Sequence, residues 1–190
     1  MLIPYQGNTP QIGANVYIAE GAQVIGRVKV GELSSIWFNC VLRGDINSIT
    51  IGKRTNIQDL SVIHVNTDQP VIVEDYVSIG HSCVLHGCTI KKGSLIGMGA
   101  IILNQSVIGE NCLVAAGSLV PERKVFPPNT LILGSPAKAV RELSPEEIES
   151  LRQTSLRYVQ RGQDYLGAAN KIKDKVKVFK PLQDLNQTRR

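Results

Sequence analysis

The chain has 190 residues and a mass of 20.7 kDa, 43% hydrophobic and 19% charged, too apolar for a disordered chain yet without the unbroken apolar run of a membrane span. Its net charge of +5 arises wholly after Ala168, where Lys171, Lys173, Lys175, Lys177, Lys180, Arg189 and Arg190 are opposed only by Asp174 and Asp184. Residues 1–167 are balanced, so no basic nucleic-acid-binding face of the main body is implied.

From Ile12 an aliphatic side chain recurs every six positions: Ile12, Ile18, Val24, Val30, Ile36 and Leu42, then Ile51, Ile57 and Ile63, then Val73, Ile79 and Leu85, then Ile90, Ile96, Ile102, Ile108, Val114 and Val120. Three extra residues follow Leu42, four follow Ile63, and one is lost before Ile90. Four places after each of the first seventeen aliphatics stands a small or β-branched residue, among them Cys40, Ile46, Ser61, Thr67, Cys83, Thr89 and Cys112. A period of six fits neither an amphipathic helix nor an alternating strand; it is the signature of a parallel β-helix. Three rungs close one triangular coil and coils stack at about 4.8 Å, so the eighteen rungs predict an all-β solenoid of six coils over residues 1–140. The large aliphatics fill its interior. Cys40, Cys83 and Cys112 fall in the small inward column as inert core thiols, and Cys88 is unassigned. Four cysteines without a CxxC pair suit neither a disulfide scaffold nor a zinc knuckle, and Met1–Tyr5 does not begin a secretory signal, so the expected location is cytoplasmic.

All three histidines lie between residues 64 and 86. His64 and His86 each follow the inward aliphatic of the same face, one coil apart. At a coil spacing of about 4.8 Å their rings suit a single ion bound at about 2.0–2.1 Å. His81 stands two places after Ile79 on another face, and the extended path to His86 is roughly 16 Å, so unless the chain folds back sharply the third nitrogen is one that a neighbouring subunit could supply. Cyclic contact between prism flanks predicts a homotrimer with intersubunit sites. Three neutral nitrogens and one open position form the pattern of a catalytic zinc, whose water becomes a hydroxide nucleophile near neutral pH. Arg43 shares the column of His64 and His86, and Asp59 that of His81, which predicts an Arg43–Asp59 pair across the interface. Gln58 is placed to orient the hydroxide.

Beyond a Pro/Gly-rich stretch from Pro121 to Pro136, Ser144-Pro145-Glu146-Glu147 is a capping box with proline at the first helical position. It predicts a helix from about Pro145 to Arg161 or slightly beyond, inside a 141–167 segment that packs on its own or a neighbouring prism. The Lys171–Val178 alternation reads as an edge strand or solvated tail within a basic 168–190 segment of no assigned function.

Taken together, the hexapeptide prism, Arg43-Gly44-Asp45, Asn56-Ile57-Gln58-Asp59, His64, His81 with His86, Gly134-Ser135-Pro136-Ala137 and a final helix carrying Tyr158 resemble the gamma-class carbonic anhydrases, over about Pro10 to Leu166. The resemblance implies a left-handed β-helix and a homotrimer. It implies zinc, with iron or cobalt as alternatives, held by His64 and His86 of one subunit and His81 of the next, and reversible hydration of carbon dioxide to bicarbonate. Arg43, Asp45 and Asp59 would belong to the interface, Gln58 and Asn56 to the metal pocket, and Tyr158 to its rim. The glutamates that export protons in active members are absent: Ile46-Asn47 stands at one place, and in the short loop after His64 the only acid is Asp68. Gln160 replaces an asparagine near the pocket. Two other functions fit the repeat, an acyl-coenzyme A-dependent hexapeptide acyltransferase and a metal-binding trimeric module with little catalysis.

Overall fold

The computed structural model describes residues 1–175, with side chains through residue 168. The prism is a left-handed parallel β-helix whose flanks are ladders mostly of two- and three-residue strands. One flank stacks Tyr17–Ile18, Ser35–Ile36, Asn56–Ile57, Ser78–Ile79, Leu95–Ile96, Leu113–Val114 and Thr130–Gly134, which makes seven coils rather than six. The hexad runs past Val120 into the buried Phe126 and Ile132, and Leu2 pairs with Val24 at the other end. The prolines between Pro121 and Pro136 read as the end of the repeat. They sit at corners and edges, where a missing N–H costs no ladder bond.

Every predicted aliphatic from Val24 to Val120 is at most 1% exposed, within one continuous core cluster, with Ile12 and Ile18 partly buried against it. The small inward column holds except at the three breaks. There Ile46 is 50% exposed, Thr67 is exposed and Thr89 half-buried, and Ile49, Val71 and Cys88 take the inward places. Each insertion spills its surplus residues outward, and the deletion before Ile90 draws the preceding residue in. Cys88 is therefore a core thiol like the other three. Burial pushes the Cys40 and Cys83 thiols up to about 11 and that of Cys88 up to about 12, and raises Cys112 as well. All four cysteines should stay unreactive to a thiol-specific chromogenic reagent at pH 8 until the prism is unfolded. Rapid labelling of the native protein would contradict this packing.

The last coil is closed by an antiparallel pair, Thr130–Gly134 with Ala137–Glu142, so the expected segment boundary at 140 falls inside a strand. Helix α1 follows, Pro145–Lys175. Its start is the predicted reciprocal cap: the Glu147 N–H donates to Ser144 Oγ at 3.3 Å and the Ser144 N–H to Glu147 Oε2 at 2.8 Å. The Arg141 guanidinium grips both Glu147 oxygens at 2.7 and 2.8 Å and, with the Ser144 N–H, holds that carboxyl down at about 2. A carboxyl depressed by folding contributes stability above its unfolded value and loses it as pH falls towards the folded one. Between pH 5 and pH 2 the melting temperature of the wild type should therefore fall more steeply than that of Glu147→Gln, as read by thermal circular dichroism.

The helix is about twice as long as predicted. Gly162, just past the expected end, is an interior packing position, where an added Cβ would make ordinary contact with Ser35 and Tyr17 at 3.5 Å, and no proline stands between it and Lys175. Lys171–Lys175 is consequently helical, and the rest of the Lys171–Val178 alternation lies outside the described residues. The helix packs on its own prism, against the flank built from Tyr17–Ile18, Ser35–Ile36, Asn56–Ile57 and Ser78–Ile79. Ser155 Oγ donates to Arg54 O at 2.7 Å and Gln163 Nε2 to Asn15 O at 3.0 Å. An aromatic seam of Tyr17, Trp37, Phe38, Tyr158 and Tyr165 joins helix to prism, with ring centroids 5.2–6.3 Å apart.

Candidate metal centre

The stacked strands Val41–Ile51, Val62–His64 and Val84–His86 put Arg43, His64 and His86 directly in register. The coil spacing alone dictates that the two imidazoles are neighbours. Their ring centroids are 5.0 Å apart, and His64 Nδ1 faces His86 Nε2 at 3.0 Å.

The partners of the other two ring nitrogens define the tautomers. Asp45 Oδ1 lies 3.0 Å from His64 Nε2, and Arg43 donates to Oδ2. Partial burial raises the Asp45 carboxyl, but the hydrogen bonds from Arg43 and His64 outweigh it and hold it at about 2. It is an acceptor, so His64 Nε2 carries the hydrogen and Nδ1 a lone pair. Asn104 Nδ2 donates to Glu122 Oε1 at 3.0 Å, which turns Asn104 Oδ1 towards His86 Nδ1 at 2.6 Å. His86 Nδ1 is therefore the donor and Nε2 the bare nitrogen. Two lone pairs thus point at each other across 3.0 Å, an arrangement that calls for a positive charge between them, a proton or a metal ion. Two nitrogens on one tetrahedral zinc lie about 3.3 Å apart, so these residues fit the ion with a small adjustment.

His81 follows Ser78–Ile79 on the helix-bearing flank, where its Nδ1 lies 2.7 Å from Asp59 Oδ2. Asp59 Oδ1 also accepts from the Phe38 N–H at 3.3 Å. With Nδ1–H given to Asp59, His81 Nε2 keeps its lone pair, on a ring 39% exposed. Among the described residues of one protomer, no three His, Cys, Asp or Glu side chains converge on a point. The chain brings together two of its three predicted ligands. Arg43 and Asp59 are likewise apart: Arg43 pairs with Asp45 and Asp59 with His81.

Asn56 and Gln58, 1% and 6% exposed, form a directed chain in which Gln58 Nε2 donates to Asn56 Oδ1 at 3.0 Å and Asn56 Nδ2 to Ser78 Oγ at 2.8 Å. This uses one donor of each amide and leaves Gln58 Oε1 as an acceptor. Tyr158 lines a cleft of about 360 Å³ with Trp37, Phe38, Asp59, Arg161 and Tyr165, and Asp59 links that cleft to His81. Desolvation, first among the influences on it, raises the Tyr158 hydroxyl. Gln160 points elsewhere, donating to Asp164 at 2.9 Å on the exposed side of the helix. Asp68 is exposed and forms no ion pair among the described residues. Ile46 is exposed, and Asn47 ties down the 66–70 loop by donating to Thr67 O at 2.9 Å.

Sequence reasoning missed Asn104 and Glu122. Their signal was available in the register, two places after Ile102 and Val120 on the face of His86, but asparagine and glutamate at a corner look like ordinary solvated residues. Beside the two histidines the same face carries an outward apolar column of Val62, Val84 and Ile101, 36–39% exposed, with Leu60 and Met98 at the neighbouring corner, 58% and 61% exposed.

Comparison with known proteins finds a match to the bacterial transferase hexapeptide (six repeats) model over residues 9–44 and 87–122. A carbonic anhydrase of Geobacillus kaustophilus is 49% identical, over 87% of this chain and 91% of its own. Gamma carbonic anhydrase 2, mitochondrial, of Arabidopsis thaliana is 38% identical, over 92% of this chain and 65% of its own. A solved hexapeptide transferase family protein from Anaplasma phagocytophilum superposes with a TM-score of 0.83 at 38% identity, covering 87% of this chain and 98% of its own.

Proposed function

The chain belongs to the gamma-class carbonic anhydrase family, and from that premise we propose that it hydrates carbon dioxide reversibly to bicarbonate and a proton, at sites formed where the protomers of a homotrimer meet. The observation that carries this reading is the pair of bare nitrogens, His64 Nδ1 and His86 Nε2, facing one another at 3.0 Å, while the third imidazole stands on another flank. His64 and His86 of one protomer and His81 of the next would hold zinc, with iron or cobalt also compatible with an all-imidazole set. Bound there, the ion supplies Lewis acidity that brings the pKa of a water from 15.7 to near 7. The apolar column beside the histidines gives a neighbouring prism a flat surface to cover, since contiguous exposed apolar area on a soluble protein marks an interaction site. The half-exposed Arg43 has guanidinium surface left to meet Asp59 across that contact.

The chain's own residues divide the remaining work. Asp45, Asn104 and Asp59 each fix the hydrogen on one imidazole, so the opposite nitrogen is bare. Gln58 Oε1 accepts a hydrogen bond from the attacking water, and Asn56 keeps that oxygen turned outward by taking the Gln58 amide hydrogen. Tyr158 and the aromatic seam restrict water to the rim. With Ile46 and Asn47 at the first shuttle place and only Asp68 in the loop, proton export depends on small buffers. Turnover is therefore expected to be slow and to rise with buffer concentration. The buried free cysteines suit a reducing cytoplasm.

Stopped-flow hydration of carbon dioxide by zinc- and iron-loaded protein is the test. Metal-dependent, buffer-stimulated acceleration over the uncatalysed rate is expected; metal-loaded trimers with no acceleration at any buffer concentration would overturn the reading and leave a metal-binding assembly module.

A further inference from the structure

We propose that Asn104, held in one orientation by Glu122 and given room by Gly87, is the positioning residue that sets the tautomer of His86 and so presents its bare Nε2 to the metal. The proposal rests on the reading of His86 as a ligand and adds three residues that the register of the coils brings together. Gly87, Asn104 and Glu122 stand in one corner column, two places after Leu85, Ile102 and Val120.

An asparagine can offer either end of its amide, and the two ends have opposite effects on an imidazole. With Oδ1 inward, Nδ1 of His86 is the donor and Nε2 keeps its lone pair for an ion. With Nδ2 inward, the hydrogen moves to Nε2 and the ligand is lost. Glu122 decides between them, because a carboxylate only accepts: it takes the Nδ2 hydrogen at 3.0 Å, and Oδ1 is left 2.6 Å from His86 Nδ1. A backbone feature supports the same arrangement. Gly87, at φ +52°, lies so close under this amide that an added Cβ would stand 2.6 Å from Asn104 Oδ1. Any larger residue at 87 would displace the oxygen that His86 uses. The two in-chain ligands are thus oriented differently, His64 by a charged carboxylate and His86 by a neutral amide with its carboxylate one step removed. Outer partners of metal-bound imidazoles typically change affinity by about 10- to 100-fold when removed.

The test compares full-length wild type with Asn104→Leu, Asn104→Asp and Glu122→Ala. The readouts are imidazole nitrogen NMR of the metal-free proteins and zinc affinity by chelator competition, with melting curves to confirm the fold. Wild type should show His86 protonated on Nδ1. Asn104→Leu should mix the tautomers and weaken zinc binding by about 10- to 100-fold. Asn104→Asp, which keeps an acceptor, should restore both, and Glu122→Ala should fall between. A single Nδ1–H tautomer in Asn104→Leu, whatever its zinc affinity, would overturn the proposal. If wild type shows the expected tautomer but binds no zinc, the metal-site reading fails while the tautomer lock stands.

Discussion

Replacing His81 with alanine is expected to remove zinc from every site and to lower carbon dioxide hydration by at least about a thousandfold, with the prism of each protomer unchanged. The ring is 39% exposed and, among the described residues, bonded only to Asp59, so its loss leaves no core cavity and the melting temperature of the metal-free protein should hardly move. The effect on the site is all or nothing. Two bare nitrogens from one chain cannot retain a metal against a chelator as three do, and no other His, Cys, Asp or Glu cluster among the described residues offers a substitute. Metal analysis with a hydration assay decides it: full zinc content in His81→Ala would show that the ion is held without His81 and contradict the shared site.

The largest effect on stability is expected from Ile57→Ala. Ile57 is 0% exposed, between Ile36 below and Ile79 above in the same inward column. Truncating a fully buried aliphatic costs the transfer free energy of the lost atoms plus a cavity term, about 2–5 kcal/mol for Ile to Ala. Collapse of the site is opposed by ladder bonds on both sides, which places Ile57 in the upper half of that range. The neighbouring coils each contact chiefly their own neighbours, so a break here splits the stack near its middle. Urea unfolding of metal-free protein, which removes the contribution of a bound ion, should show the midpoint falling with little change in slope. A loss under about 1 kcal/mol would mean that the column is not packed as described.

Most of the prism was legible because hexad spacing is a direct image of coil geometry. Leu42, Ile63 and Leu85 could be placed on one face from spacing alone, and with them the juxtaposition of His64 and His86. The errors came where local chemistry competes with the period. Pro127 and Pro128 hid the continuing hexad at Phe126 and Ile132, and Gly162, just past the expected helix end, lies inside the helix. At the breaks the inward residue is fixed by which backbone pairs with the adjacent coil, and spacing counted from Leu42 therefore selected Ile46 instead of Ile49. The Asn104–Glu122 relay was illegible for another reason: its meaning lies in which end of an amide faces which neighbour, and that depends on atoms from three coils at once.

Mixed trimers test the account's central claim most directly, that each metal site takes ligands from two chains. His64→Ala and His81→Ala subunits, each empty alone, are unfolded together in equal amounts, refolded and assayed for bound zinc. If His64 and His86 of one protomer meet His81 of the next around a threefold axis, every mixed trimer regains one intact site, and about one quarter of the wild-type zinc returns. Zinc content that stays at zero in verified mixed trimers would contradict the shared site.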